Sequence, residues 1–151
     1  MSFLPAASIL AVLEGLAALK LDVARIRREV FRDEGESNPE ALVPAALFGE
    51  VLRAAQMQAP REELLLEAAL SVPLGAFGLM DYLAASSDTI GEAFVSLSRL
   101  FPSVAPGCAI EVDESPREYV VTLRNPNEHS LRVNGDELTV GVMLRHFRNL
   151  S

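Results

Sequence analysis

The chain predicts an α+β fold, a predominantly helical domain with a short antiparallel β-hairpin after its central helices. Three observations carry that prediction. Apolar residues recur at helical spacing in one segment after another as far as Pro102. Beyond it, two short runs, Cys108 to Val112 and Tyr119 to Arg124, flank the turn Glu114-Ser115-Pro116-Arg117 and read as paired strands. Finally, half of the 151 residues are apolar, enough for one domain with a real core and no reason to expect a second.

In chain order, Pro5 stands where a helix begins, and Ile9, Leu10, Val12, Leu13, Leu16, Ala17 and Leu19 make the following segment strongly apolar. It reads as a core helix, with a partner-facing helix as the alternative. Asp22 is a good N-cap for a second helix, in which Val23, Ile26 and Val30 form a narrow apolar line. Arg25, Arg27, Arg28 and Arg32 crowd its other faces and are the chain's basic cluster. A nucleic-acid contact or an anionic-ligand clamp would use such a cluster, since guanidinium offers a planar fork to phosphate and carboxylate. A solvated face paired with Glu29, Asp33, Glu34 and Glu36 explains it with less, and no aromatic residues interleave as a single-strand binder would need.

Gly35 to Pro39 reads as a polar loop with a turn at Asn38-Pro39. A third helix is expected from Pro44, with Leu47, Phe48, Val51, Leu52 and Ala55 on one face and Pro60 closing it. Arg61 to Leu70 continues as an apolar helix whose early carboxylates suit the helix dipole. Glu62, Glu63 and Glu67 have no His, Ser or Cys nucleophile recognisably placed with them, which argues against acid–base catalysis.

The central stretch runs from Leu74 to Pro102. Phe77, Leu79, Met80, Tyr82 and Leu83 leave almost no polar face, so Phe77 to Ala85 is expected to be a buried helix. Ser86, Ser87 and Asp88 stop it, and Thr89 with Glu92 forms a capping-box pattern for the next helix. In that helix Ile90, Ala93, Phe94, Leu97, Leu100 and Phe101 follow the i, i+3, i+4, i+7 rule until Pro102. After the hairpin, Leu131 to Val133 is expected to be extended and Asn134-Gly135 to turn. Asp136 or Thr139 then opens a last helix, with Val140, Met143, Leu144 and Phe147 inward and Arg145 and Arg148 near its C-terminal end.

Leu74-Gly75-Ala76-Phe77-Gly78, Asp81-Tyr82, Ser86-Ser87, Thr89-Ile90-Gly91-Glu92-Ala93, Leu97, Arg99 and Leu100 occur in an order and spacing that resembles the central signature of one family. That family is the N-terminal effector domain, described as arabinose-binding-like, of AraC-family transcription regulators. Leu21-Asp22 with the helix after it, and the helix start at Val43-Pro44, fit the same pattern more loosely. The resemblance implies that residues 1–151 form a single N-terminal regulatory domain, incomplete against the family pattern, which continues with more strands and a separate helix-turn-helix domain. No DNA-binding domain is visible in the sequence. It further implies an unknown small-molecule effector, a homodimer, and contact with DNA only through a carboxyl-terminal domain outside this chain. A protein–protein interaction or dimerisation module without a small ligand is the alternative.

Composition narrows the function classes. A net charge of −8 opposes unaided grip on nucleic acid, which depends on Lys and Arg neutralising phosphates. A single cysteine, Cys108, allows no intrachain disulfide and no cysteine-based zinc site, and fits a reducing cytoplasm. It reads as a small buried hydrophobe. No apolar run reaches the roughly 18 residues that span a bilayer. Ser2 to Leu19 lacks a basic start and carries Glu14, unlike a signal peptide, so the chain is expected to be cytoplasmic and off the membrane. Neither a phosphate-binding glycine loop nor Gly-x-Ser-x-Gly occurs, so no enzyme, catalytic residue or cofactor is expected. His129 and His146 stand too far apart and too alone for a metal site, and the helix end explains His146.

Pockets combine apolar walls with a few polar groups, which leaves Asp81, Tyr82, Ser86, Tyr119, Arg124 and His129 as the ligand-binding candidates. Asp81 and Tyr82 belong to the family motif, where a helix junction is the competing explanation.

Overall fold

A computed structural model describes residues 3–32, 38–105, 107–124 and 129–150, apart from the side chains of 104, 129–135, 149 and 150. The fold is α+β and mostly helical, with seven helices and two small antiparallel sheets among the described residues.

Strand β1 (Phe3–Pro5) leads into helix α1 (Ala6–Ala18), and β2 (Leu42–Pro44) leads into α3 (Ala45–Gln58). The two strands pair antiparallel, Phe3 opposite Pro44 and Leu4 opposite Val43. Each is held extended because a residue before proline avoids the helical region, and each proline then caps a helix. Three residues show no periodicity, so sequence pattern alone does not reveal this sheet.

Helix α1 ends where Lys20 takes φ +64°, its N–H donating to Ala17 O at 2.9 Å while Leu21 N–H donates to Leu16 O at 3.2 Å. This Schellman closure satisfies the last carbonyls and turns the chain into α2 (Val23–Phe31). Asp22 caps α2 as expected, accepting from Arg25 N–H at 2.9 Å. The Gln58 amide clamps that junction to the end of α3, accepting from Asp22 N–H and donating to Asp22 O.

Helix α4 (Leu64–Ser71) is the axis of the first core: Leu64, Leu65, Ala68 and Ala69 are fully buried. Helices α1 and α7 (His129–Leu150) both pack on it where glycine removes a side chain. A Cβ on Gly15 would stand 2.3 Å from Ala68 O, and one on Gly141 2.6 Å from the Ala69 Cβ. This core also takes in Ile9, Leu16, Ile26, Leu52, Leu138 and Val142.

The second core lies between α5 (Leu79–Ala85), α6 (Ile90–Val104) and the hairpin β3 (Ala109–Glu114) and β4 (Tyr119–Arg124). The hairpin sits close to its expected bounds, and the register sets Ile110 opposite Leu123 and Val112 opposite Val121 on the face that covers α6. Phe94 and Phe147 meet edge to face at 4.9 Å. Phe77 packs against both cores.

Several expectations need correction. Helix α5 begins at Leu79, and Leu79 and Tyr82 are exposed, because the helix buries only the face carrying Met80, Asp81 and Ala84. Helix α6 runs through Pro102 to Val104, since a proline so near the end removes one backbone donor without stopping the last turn. Helix α7 starts at His129, so neither the extended stretch at 131–133 nor the turn at 134–135 forms. Asn-Gly is a turn signal only locally; helix propagation from the turns that bury Leu138, Val142 and Met143 outweighs it. Val140 and Leu144 face outward, and the inward positions are taken by Arg145 and His146.

Candidate functional site

The signature segment after α4 folds as a turn around one carboxylate. Gly75 and Gly78 take φ +92° and +56°, conformations that a side chain disfavours. The turn they permit aims the Gly75 and Phe77 N–H groups at Asp81 Oδ2, at 2.7 and 3.1 Å. Asp81 Oδ1 accepts from His146 Nε2 at 2.9 Å and from Arg145 Nη2 at 2.5 Å. The other terminal nitrogen of Arg145 donates to Val72 O at 2.9 Å, and its guanidinium lies 5.5 Å from the centre of the Phe77 ring. Asp81, Arg145 and His146 are 4%, 3% and 4% exposed.

Burial pushes the Asp81 carboxyl up, but the hydrogen bonds from His146 and Phe77 N–H and the charge of Arg145 outweigh it and hold its pKa below the ordinary value. Burial lowers the Arg145 pKa, against the pull of Asp81. An ionised carboxylate with four donors and almost no solvent contact is committed to structure. It ties α5 and the preceding turn to α7.

The second half of the signature has a separate task. Thr89 Oγ1 accepts from Glu92 N–H at 3.1 Å, and Glu92 Oε2 accepts from Asp88 N–H at 3.1 Å, one residue ahead of the usual capping-box partner. Gly91 leaves room for Tyr119, whose ring atom Cζ lies 2.3 Å from where a Cβ would stand.

The predicted ligand-binding residues are dispersed. Asp81 is inside the buried cluster, whereas Tyr82, its neighbour on α5, is 68% exposed. Ser86 donates to Leu83 O at 3.3 Å at the end of α5, and Tyr119 donates to Glu114 Oε1 at 2.9 Å. Arg124 pairs with Glu111 across the hairpin. Among the described residues no side-chain hydrogen bond or ion pair joins any two of these five. The His129 side chain lies outside the described residues.

Sequence reading missed Arg145 and His146, assigning them to the helix end. The signal was present: 138, 142, 145 and 146 follow the i, i+4, i+7, i+8 spacing of a single face. A family model for the arabinose-binding domain of AraC transcription regulators, N-terminal, matches residues 22–151. The chain belongs to this family. No curated protein matches it. Membership makes it a ligand-sensing N-terminal regulatory domain, and the turn and cluster just described fall within the matched span.

The AraC-type domain also has a concave feature that the sequence did not announce. A cleft of about 250 Å³ opens between α1, α2, β2 and α3, floored by Ile9, Val30 and Phe31 and rimmed by Leu10, Leu42 and Leu47. Its α1 wall precedes the matched residues. Among the described residues no group of His, Cys, Asp or Glu is placed to hold a metal ion. No helix among them is long and apolar enough to cross a membrane.

Proposed function

We propose that this domain binds a small-molecule effector in the cytoplasm and passes the binding to an attached DNA-binding domain as a change in the position of α7. The observation that carries the reading is the family match over residues 22–151. Helix α7 is the element suited to relay a signal: Leu138 and Val142 lie in the first core, Met143 and Phe147 in the second, and Arg145 and His146 hold the turn between them. An effector shifts that helix only if it binds one arrangement more tightly than the other. The domain is read as a sensor without catalytic activity.

A second reading, assembly without a ligand, draws on exposed apolar side chains. Val140 and Leu144 stand one turn apart on the outer face of α7, 48% and 43% exposed, and Leu79 and Tyr82 do the same on α5. Thermal melting against a library of metabolites, with solution mass measured at two protein concentrations, separates the two. A sensor gives a saturable rise in melting temperature, about 2.7 kcal/mol of stabilisation at a hundredfold excess over Kd. A stable dimer with no ligand that shifts melting would replace the sensor by an assembly module.

A further inference from the structure

We propose that the cleft between α1, α2, β2 and α3 is the binding site for an apolar small molecule, an inference that rests on the effector-sensing reading above. Every described lining residue is Ala, Ile, Leu, Val, Phe or Pro, so among the described residues no side chain in the cleft donates or accepts a hydrogen bond. Part of the nearby main chain is engaged: Ala6 N–H donates to Ala41 O at 2.8 Å, Ala7 N–H to Pro39 O at 3.0 Å, and β1 pairs with β2. A sugar placed here would depend on the main chain alone for partners, and each buried hydroxyl group left without one is penalised.

A hydrocarbon body meets no such penalty. Leu42, 69% exposed at the rim, gains cover when the cleft is filled. At about 250 Å³ the cavity is slightly smaller than the usual small-molecule site, and it is walled by three helices and a strand. That shape fits a compact ligand held between elements. The apolar floor is continuous with the first core, because Ile9, Val30 and Phe31 belong to both. An occupant therefore adds to the same cluster that holds Leu138 and Val142 of α7.

The test is a fluorescence titration of the whole chain with the neutral probe N-phenyl-1-naphthylamine, displaced in parallel by 1-octanol or L-arabinose. Saturable binding that octanol displaces and arabinose does not is expected. Leu47→Trp fills the cleft and should weaken the probe at least tenfold without loss of the melting transition. Ala41→Phe fills the same space from the rim loop and serves if Leu47→Trp does not fold. Met57→Ser, at an 80% exposed site on α3 outside the lining, should leave binding unchanged. Probe binding that fails to saturate, or that survives both filling substitutions, overturns the proposal. If the probe does not bind while a polar metabolite such as L-arabinose raises the melting temperature, the sensor reading stands and the apolar cleft falls. If the probe does not bind and no metabolite of the library shifts melting, both fall.

Discussion

Asp81 takes four hydrogen bonds on two oxygens, from two backbone N–H groups, a guanidinium and an imidazole, with almost no solvent contact. Breaking a buried pair by removing one partner leaves the other charge uncompensated, at a cost of about 3–5 kcal/mol. Asp81→Asn should lose that much in chemical denaturation, and combining it with Arg145→Met should restore part, because the two losses are not independent. The pH dependence has a definite sign. A carboxyl whose folded pKa is depressed contributes stability above its unfolded value, about 3.9, and loses it as pH falls through the lower folded value. The wild-type chain should therefore weaken steeply below about pH 4, and Asp81→Asn should flatten that acid limb. An unchanged limb would mean that Asp81 is not ionised against Arg145. In the sequence Asp81 was legible as part of a motif, whereas its partners were not. Arg and His near a helix end suit the dipole, and that sufficient explanation hid the partnership with Asp81 on α5, 64 residues before Arg145 in the chain.

Pairs of elements meet at glycines, and the consequence depends on what each glycine faces. Gly15 meets a backbone carbonyl of α4, which cannot move without separating the helices. Gly15→Ala should therefore destabilise by about 1–3 kcal/mol. Gly91 meets the far end of the half-exposed Tyr119 side chain, which can swing outward. Its replacement by Ala gains about 1 kcal/mol of helix propensity against the lost Tyr119 packing, so the net change should stay within about 1 kcal/mol. Equilibrium unfolding of both variants, with the Tyr119 ring resonances as a local reporter, checks the contrast; equal losses would refute it. The same scale explains what sequence pattern could see. The α6 cap and the β3–β4 hairpin are specified by residues near one another in the chain, Thr89 with Glu92 and the turn at Ser115, whose backbone N–H donates to Glu118 O. The β1–β2 pair joins segments some 40 residues apart, and the first turns of α7 override a local turn signal. Non-local packing decides both.

The whole molecule consists of two cores that share Phe77 and α7. Family membership was readable from the signature because Gly75, Gly78, Asp81, Thr89 and Gly91 each have a definite geometric task. The cleft was not readable, since its walls come from four elements that only the fold brings together. The central claim is that a small molecule bound by this domain alters α7. Amide hydrogen exchange of the whole chain, with and without the metabolite that most raises its melting temperature, tests that claim most directly. The account predicts slower exchange along 138–146 and at Gly75 and Phe77, whose N–H groups Asp81 holds. Saturating ligand with unchanged exchange at all of these amides would contradict it.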